Sequence, residues 1–518
     1  MAIQARANSS IDADVAIAGA GPAGAAIACH FSRAGFRVVM IEQRRFPRDK
    51  VCGDFVGPAA LQELDQLGIL SERSVANATR IRSGALYING EKIADRPFPH
   101  IGGLRDYGLC VPRVVLDEAI VNAAVVAGAS LIEGARVLSY EADTTGVTIF
   151  YKRATSQKRV RTRLLIGADG SSSLVSRTLR AAKPRRRDLI VAVRAYFEGV
   201  EGRQDQADIY LNARCFPGYY WLFPTGTNTA NVGVGMPLEV CAGIEERQLG
   251  RLLSQLIESD PAIGRRLVNA RLSHRTAGWP LAIFNPRLPI IADRVALIGD
   301  AAGFINPLSG EGIQYALRSA RWCSEALRDV LSGDKLAALE LRPYATRAQA
   351  EMRCDMAFSR LIIDIVKNRA LQPLWLAAVG TLAKKGVADS RFYDVTAGVF
   401  AGIVSAKEFL ALPFRRRTAK PIALTVSPSA REALRASQRL QESGVTLWNN
   451  AALVLKGLAR HPLATIEWGA DCASSAFELA AQLAISTVKW LLLRGRARLA
   501  GVARLIWNAR SDRPARRS

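Results

Sequence analysis

Residues 14–24 read DVAIAGAGPAG. The first five are apolar enough to form a short buried strand. They run without a break into Gly19-Ala20-Gly21-Pro22-Ala23-Gly24 and then into the helix-like AAIACHFSRAG. G-x-G-x-x-G between a strand and a helix is a dinucleotide fingerprint, because glycines allow a tight turn and let backbone N–H groups approach a pyrophosphate. The positive end of the following helix supports that charge. The second strand, FRVVMI at 36–41, ends at Glu42, whose carboxylate can accept from ribose hydroxyls and disfavours a 2′-phosphate.

Two later segments separate FAD from NAD. Residues 164–177 read LLIGADGSSSLVSR: a buried strand, then Asp169-Gly170, a hydroxyl-rich turn and Arg177. Residues 295–315 read VALIGDAAGFINPLSGEGIQY, a further strand that ends at Gly299-Asp300 and a glycine-rich turn that opens a helix. Asp300 is placed to accept from ribityl hydroxyls, and Gly310-Glu311-Gly312 lets backbone N–H groups reach a flavin ring edge.

Taken together, GAGPAG, GADG and GDAAG resemble the FAD-dependent superfamily of aromatic hydroxylases, halogenases and geranylgeranyl reductases. FPRDKVCGD at 46–54 is similar to the family's RDKxCG segment. GYYWLFPTG at 218–226 with NVGVG at 231–235 is similar to the GYxWxFP…NVGxG pattern of the geranylgeranyl reductases. The resemblance covers about residues 11–340. It implies that Gly19, Gly21, Ala23 and Gly24 hold the FAD pyrophosphate, and that Glu42 holds the adenosine ribose. Cys52 and Gly53 lie near the isoalloxazine, and Arg113 reaches the phosphate or ribityl region. Val137 flanks the adenine, Asp169 lies at the cofactor, and Asp300, Gly312 and Ile313 hold the ribityl and pyrimidine end. Gly303 stands where many aromatic hydroxylases have His after GDAA, which leans toward reductases. KVCGD lacks the Glu-Ser of the halogenase K-x-G-E-S, so Lys50 is a poor halogenase lysine.

The expected fold is therefore α/β: a Rossmann-type FAD-binding domain with an inserted antiparallel β-sheet substrate domain and a helical C-terminal region. The FAD-binding domain is assembled from residues 11–60, 105–185 and 285–340. Residues 61–104 and 186–284 form the substrate-binding domain. VAVRAYFEGV, YYWLFP and ANVGVGM alternate as strands do, and TGTN joins the last two as a hairpin. Residues 313–365 read as helical throughout, 341–412 as a helical extension and 413–518 as a basic helical tail.

The 518 residues carry a net charge of +24, of which 413–518 hold +12, with 18 Lys and Arg against 6 Asp and Glu. That tail points to an anionic partner. Val488, Leu492, Gly495, Leu499, Val502 and Ile506 recur at helical spacing beside Lys489, Arg494, Arg496, Arg498 and Arg504, which suits an anionic membrane surface or, alternatively, a helix that packs its apolar face on the protein body and leaves its arginines in solvent. No nucleic-acid motif accompanies the charge, so nucleic acid is disfavoured. Scattered cysteines and no apolar leader fit a cytoplasmic protein, peripheral on the inner membrane face through the tail. The four histidines share no metal spacing, and no metal is expected.

Cys52, Tyr219 and Trp221 are the candidate catalytic residues. Cys52 would donate a proton or tune the flavin; as a free Cys it equally fits a small buried apolar side chain. On a strand Tyr219, Trp221 and Phe223 share one face and Tyr220 points the other way, so one face lines an apolar tunnel or simply builds sheet core. The expected function is FAD-dependent reduction of C=C bonds in a prenyl or other long lipid; the alternative is an FAD-dependent monooxygenase acting on an apolar natural product. Partners are an apolar or lipid substrate and an external electron donor: NAD(P)H, ferredoxin or a reductase.

Overall fold

The computed structural model describes residues 11–241, 246–333, 335–400, 404–406 and 464–483. Its first sheet has eight strands, with the parallel core Val295–Leu297, Ser156–Gly167, Ala13–Ala18, Val38–Glu42, Ser130–Glu133 in that spatial order. Ala13–Ala18 sits at its centre, with Ala18 opposite both Ile41 and Gly167. A strand covered on both faces has no use for polar alternation, which is why 13–18 reads as a nearly continuous apolar run. The covering helices are Pro22–Arg33, Arg113–Val126 and Ile313–Ser332. Pro22 opens the first of them, Ile27 and Phe31 are fully buried, and Gly35 at φ +88 ends it. Each such side chain contributes about 1.5–3 kcal/mol by leaving water.

The parallel strands deliver their C-terminal ends to one edge: Ala18 before the glycine turn, Glu42, Gly167 before Asp169, and Leu297 before Asp300. Open α/β sheets bind ligands at this edge.

A second eight-stranded sheet runs Arg271–Leu272, Leu189–Glu198, Thr229–Pro237, Tyr219–Gly226, Gln206–Leu211, Ser83–Ile88, Glu91–Pro97, with Ala277–Ala282 also paired to Leu189–Glu198. It is not wholly antiparallel as expected, since Gln206–Leu211 pairs parallel with Ser83–Ile88. Ser83–Ile88 enters from a distant part of the chain, so no hairpin forces its direction. The expected hairpin over 219–237 is present, with Asn228 at φ +55 in its turn.

The short insert is smaller than 61–104. Leu61, Leu64, Ile69 and Val75 pack into the core of the first sheet, and only 83–97 join the second. Residues 313–365 are not one helix, because Ile313–Ser332 stops at Gly333 and Ala338–Val366 begins afresh. Of the tail, 464–483 are helical and dock on the second of these helices. Trp468 Nε1 donates to Asp364 O at 2.8 Å, Ser475 Oγ to Asp364 Oδ2 at 2.6 Å, and Lys367 pairs with Asp471 at 2.7 Å. The stripe at 488–506 and the linker at 415–421 lie outside the described residues. Among the described residues no helix is long and apolar enough to cross a membrane.

Candidate flavin site

The glycine turn is shaped by backbone contacts. Gly19 sits at φ +92, and a Cβ on Gly24 would stand 2.0 Å from Gly19 O. A Cβ on Gly21, by contrast, would meet only the Arg48 guanidinium, at 3.5 Å. The buried helix start at Pro22 carries no side-chain cap and no acid in its first turn. Orphan N–H groups at a buried helix end call for acceptors, and a pyrophosphate would fit that need.

Glu42 braces this turn: Oε2 accepts from Ala20 N and Oε1 from Arg44 N, each at 3.0 Å. Arg48 lies 3.7 Å from Glu42 and 3.0 Å from Asp117. Arg113, 3% exposed, spends Nε and Nη2 on the same Asp117 at 2.6 and 2.8 Å. An acid–base rail thus crosses the cleft from Arg113 to Ala20. The sequence motifs pointed to Arg113 and Glu42 but not to Arg48 and Asp117 between them. Val137 is partly buried on the strand Ala135–Ala142, just past Gly134, whose N–H donates to Arg44 O at 3.2 Å. That places Val137 on the same side as Glu42, through Arg44.

The third motif meets the first directly. A Cβ on Gly299, which is at φ +54, would stand 2.8 Å from Ala23 Cβ, so the glycine turn and Asp300 are neighbours. Lys50 Nζ donates to Asp300 Oδ2 at 3.0 Å. Burial alone would raise the Asp300 pKa, but Lys50, helped by Arg113 and Ser171, outweighs it and the carboxyl is held below its ordinary value. Gly312 caps the helix that Ile313 opens, and a Cβ there would lie 3.4 Å from Asp300 Oδ1. Asp169 is used differently. Its carboxylate accepts from Ser173 Oγ, Leu174 N and Val175 N, so it caps the helix Leu174–Arg180 while lying against Gly19.

Facing this cradle is the strand Tyr219–Gly226. Tyr219, Trp221 and Phe223 share a face, with ring centroids 5.9 and 6.0 Å apart, and Phe55 and Phe98 extend the wall. Tyr220 points away, stacks on Tyr210 at 5.0 Å and donates to Asp260. Gly53 sits on the wall, its absent Cβ 3.2 Å from Phe223 and 3.5 Å from Trp221 Nε1. Cys52 is beside it, and burial pushes its thiol up while the positive charge of Arg113 opposes. Trp221 Nε1 is committed to Asn231 Oδ1 at 3.0 Å, and Tyr219 OH donates to Ser309 O. Glu311, on the Ser309–Gly312 turn, is pushed up to about 7 by burial. Gly303 is at φ +80 with Ile283 O 3.2 Å from where a Cβ would be, so a His there would be strained.

A family model described as an FAD binding domain matches residues 12–353. The chain belongs to the FAD-binding domain family. This flavoprotein is 34% identical over 328 residues to a menaquinone reductase of Mycobacterium tuberculosis, covering 61% of this chain and 76% of the relative. It is 30% identical over 374 residues to digeranylgeranylglycerophospholipid reductase 1 of Methanopyrus kandleri, covering 69% and 92%. Among solved structures, a geranylgeranyl bacteriochlorophyll reductase-like protein of Thermoplasma acidophilum superposes with a TM-score of 0.63 at 21% identity, covering 72% of this chain and 91% of that one. A flavin-dependent brominase superposes with a TM-score of 0.63 at 20% identity, covering 78% and 99%. At these identities the two superpositions establish the fold alone. The flavoprotein is an FAD-dependent oxidoreductase.

Proposed function

We propose that this flavoprotein reduces C=C bonds of a prenyl or other long lipid chain. The carrying observation is the apolar wall of Tyr219, Trp221 and Phe223, packed on Gly53 and facing the cradle built by Asp300 and Gly312. The names of its relatives support the reading, one of them printing a digeranylgeranyl lipid. FAD would be held by the Gly19–Gly24 turn, Glu42, Asp300 and Gly312, with Arg48 and Lys50 adding positive charge at its phosphate and ribityl flanks. Bound there and reduced by an external donor, FAD would supply the hydride. The chain's task is to align an apolar substrate, exclude water and hold a proton. The wall serves the first two needs through shape and burial. Cys52 serves the third, since a thiol whose pKa burial raises keeps its proton at neutral pH. Trp221 and Tyr219 act as walls, because their polar hydrogens are committed to Asn231 and Ser309.

The test is anaerobic. Protein reduced with dithionite is mixed with prenyl lipids, and products are weighed by mass spectrometry. A gain of two hydrogens supports the reading. An oxygenated product that forms only in air and carries label from ¹⁸O₂ overturns it in favour of monooxygenation.

A further inference from the structure

The turn Cys52-Gly53-Asp54 ends on a residue in an expensive setting. Asp54 is fully buried and sits at φ +62, a left-handed conformation that L side chains rarely adopt. Its Oδ2 accepts from Tyr196 OH at 2.5 Å and from Asn231 Nδ2 at 2.8 Å, while Oδ1 makes no hydrogen bond with the protein. A half-satisfied buried carboxyl and a strained backbone both cost stability, and such costs collect where a structure must hold a working geometry.

What Asp54 holds is visible in the register. Tyr196 and Asn231 are directly opposed on neighbouring strands, so hydroxyl and amide meet one carboxylate. Asn231, also fully buried, uses its whole amide: Nδ2 donates to Cys52 O at 2.7 Å and to Asp54, and Oδ1 accepts from Trp221 Nε1. Gly233 makes this last contact possible, because a Cβ there would stand 2.3 Å from Trp221 Cζ2, where the indole lies across the strand. At the other end of the segment, Arg194 Nη2 grips Asp49 at 2.5 and 2.6 Å and stacks over Tyr196 at 4.3 Å. The loop 49–54 is thereby tied to the second sheet at both ends.

We propose that Asp54 and Asn231 are positioning residues that lock the Cys52–Gly53 turn onto the Trp221–Phe223 wall and so fix the Cys52 thiol against the flavin face. They act through Cys52, Gly53 and Trp221. Only the kinetic arm of the test rests on the reductase reading.

The experiment uses full-length, FAD-loaded protein and the variants Asp54→Ala, Asn231→Ala and Tyr196→Phe. Alkylation of Cys52 by iodoacetamide is followed by peptide mass spectrometry, with the buried Cys29, Cys110 and Cys323 as internal controls. Visible circular dichroism reports the flavin's surroundings. Loss of a charged hydrogen bond to the turn should speed Cys52 alkylation about tenfold in the alanine variants, and by less in Tyr196→Phe, where one acceptor contact survives. The flavin dichroism should change with it, and kcat should fall while KM moves little. Unchanged Cys52 alkylation and dichroism in a folded alanine variant would overturn the proposal. If both alanine variants fail to fold, Tyr196→Phe decides on the same two readouts. Faster alkylation in the variants of a protein that reduces no prenyl lipid would keep the lock and reject the reductase.

Discussion

Lys50 Nζ and Asp300 Oδ2 stand 3.0 Å apart although 250 residues separate them. The pair joins the loop that carries Cys52 to the strand end that carries the third flavin motif. One contact therefore couples the Cys52–Gly53 turn to the Asp300 end of the cradle.

Asp300→Ala removes the half-buried carboxylate proposed to accept from the ribityl hydroxyls. One charged hydrogen bond contributes about 1.5–3 kcal/mol, so FAD affinity should fall roughly tenfold to a hundredfold. Titration of the apoprotein with FAD measures it, and unchanged affinity would mean that Asp300 does not touch the cofactor.

Gly24 and Gly21 should separate fold from ligand. A Cβ on Gly24 drives into Gly19 O, which is backbone and cannot move aside cheaply. Gly24→Ala should destabilise even the apoprotein, by about 1–3 kcal/mol or more. A Cβ on Gly21 meets only the tip of the flexible Arg48 side chain. Gly21→Ala should leave the apoprotein's melting temperature in place and weaken FAD, because the methyl occupies the approach of the pyrophosphate. Equal effects on the apoprotein would show that the two glycines do the same job.

Local motifs made much of this site legible in the sequence. Strand, glycine turn and acid at 14–42 set the parallel sheet, and the alternation at 219–223 placed Tyr220 opposite Tyr219 and Trp221. What escaped was long-range. Arg48 matters because it lies against Gly21, Glu42 and Asp117, and no spacing announces that, whereas Asp117 answers Arg113 at i,i+4 on one helix, a spacing that was there to be read. Asp54 and Asn231 sat inside quoted motifs, yet their roles come from a cross-strand register and a burial that only the fold supplies. The parallel entry of Ser83–Ile88 was equally hidden, since a long connection constrains no direction. Asp169 carried the right motif, but its carboxylate is spent on a helix end that the same residues create.

The two faces of the aromatic strand should respond differently. Trp221→Leu removes wall area and frees Asn231, so KM for an apolar substrate should rise several-fold, about 1 kcal/mol of lost contact. Tyr220→Phe deletes only the hydroxyl that donates to Asp260, within the core beneath the sheet. It should lower stability by about 1–3 kcal/mol through the carboxylate left short of a donor, and leave KM alone. A KM change in Tyr220→Phe matching that of Trp221→Leu would remove the wall from substrate binding.

Stability should fall with rising pH on account of Asp54. Burial pushes its carboxyl from 3.8 up to about 6; the hydrogen bonds from Tyr196 and Asn231 and the charges of Arg194 and Arg113 only partly oppose this. Below pH 3.8 the group is protonated in both folded and unfolded chains, and its contribution is fully present. Between that value and about 6 the unfolded chain ionises first, so the folded state loses ground as pH rises. The displacement of about two pH units corresponds to roughly 3 kcal/mol. Glu311, raised from 4.5 to about 7, and Asp208, raised to about 6, act in the same direction, so the wild type alone cannot assign the effect. The difference between wild type and Asp54→Asn can. Measured by urea unfolding from pH 4 to 7, that difference should move against the wild type as pH rises, and most of the change should lie below about 6. A difference that stays flat over that range would mean that Asp54 ionises as an ordinary carboxylate, and burial would not be setting its charge.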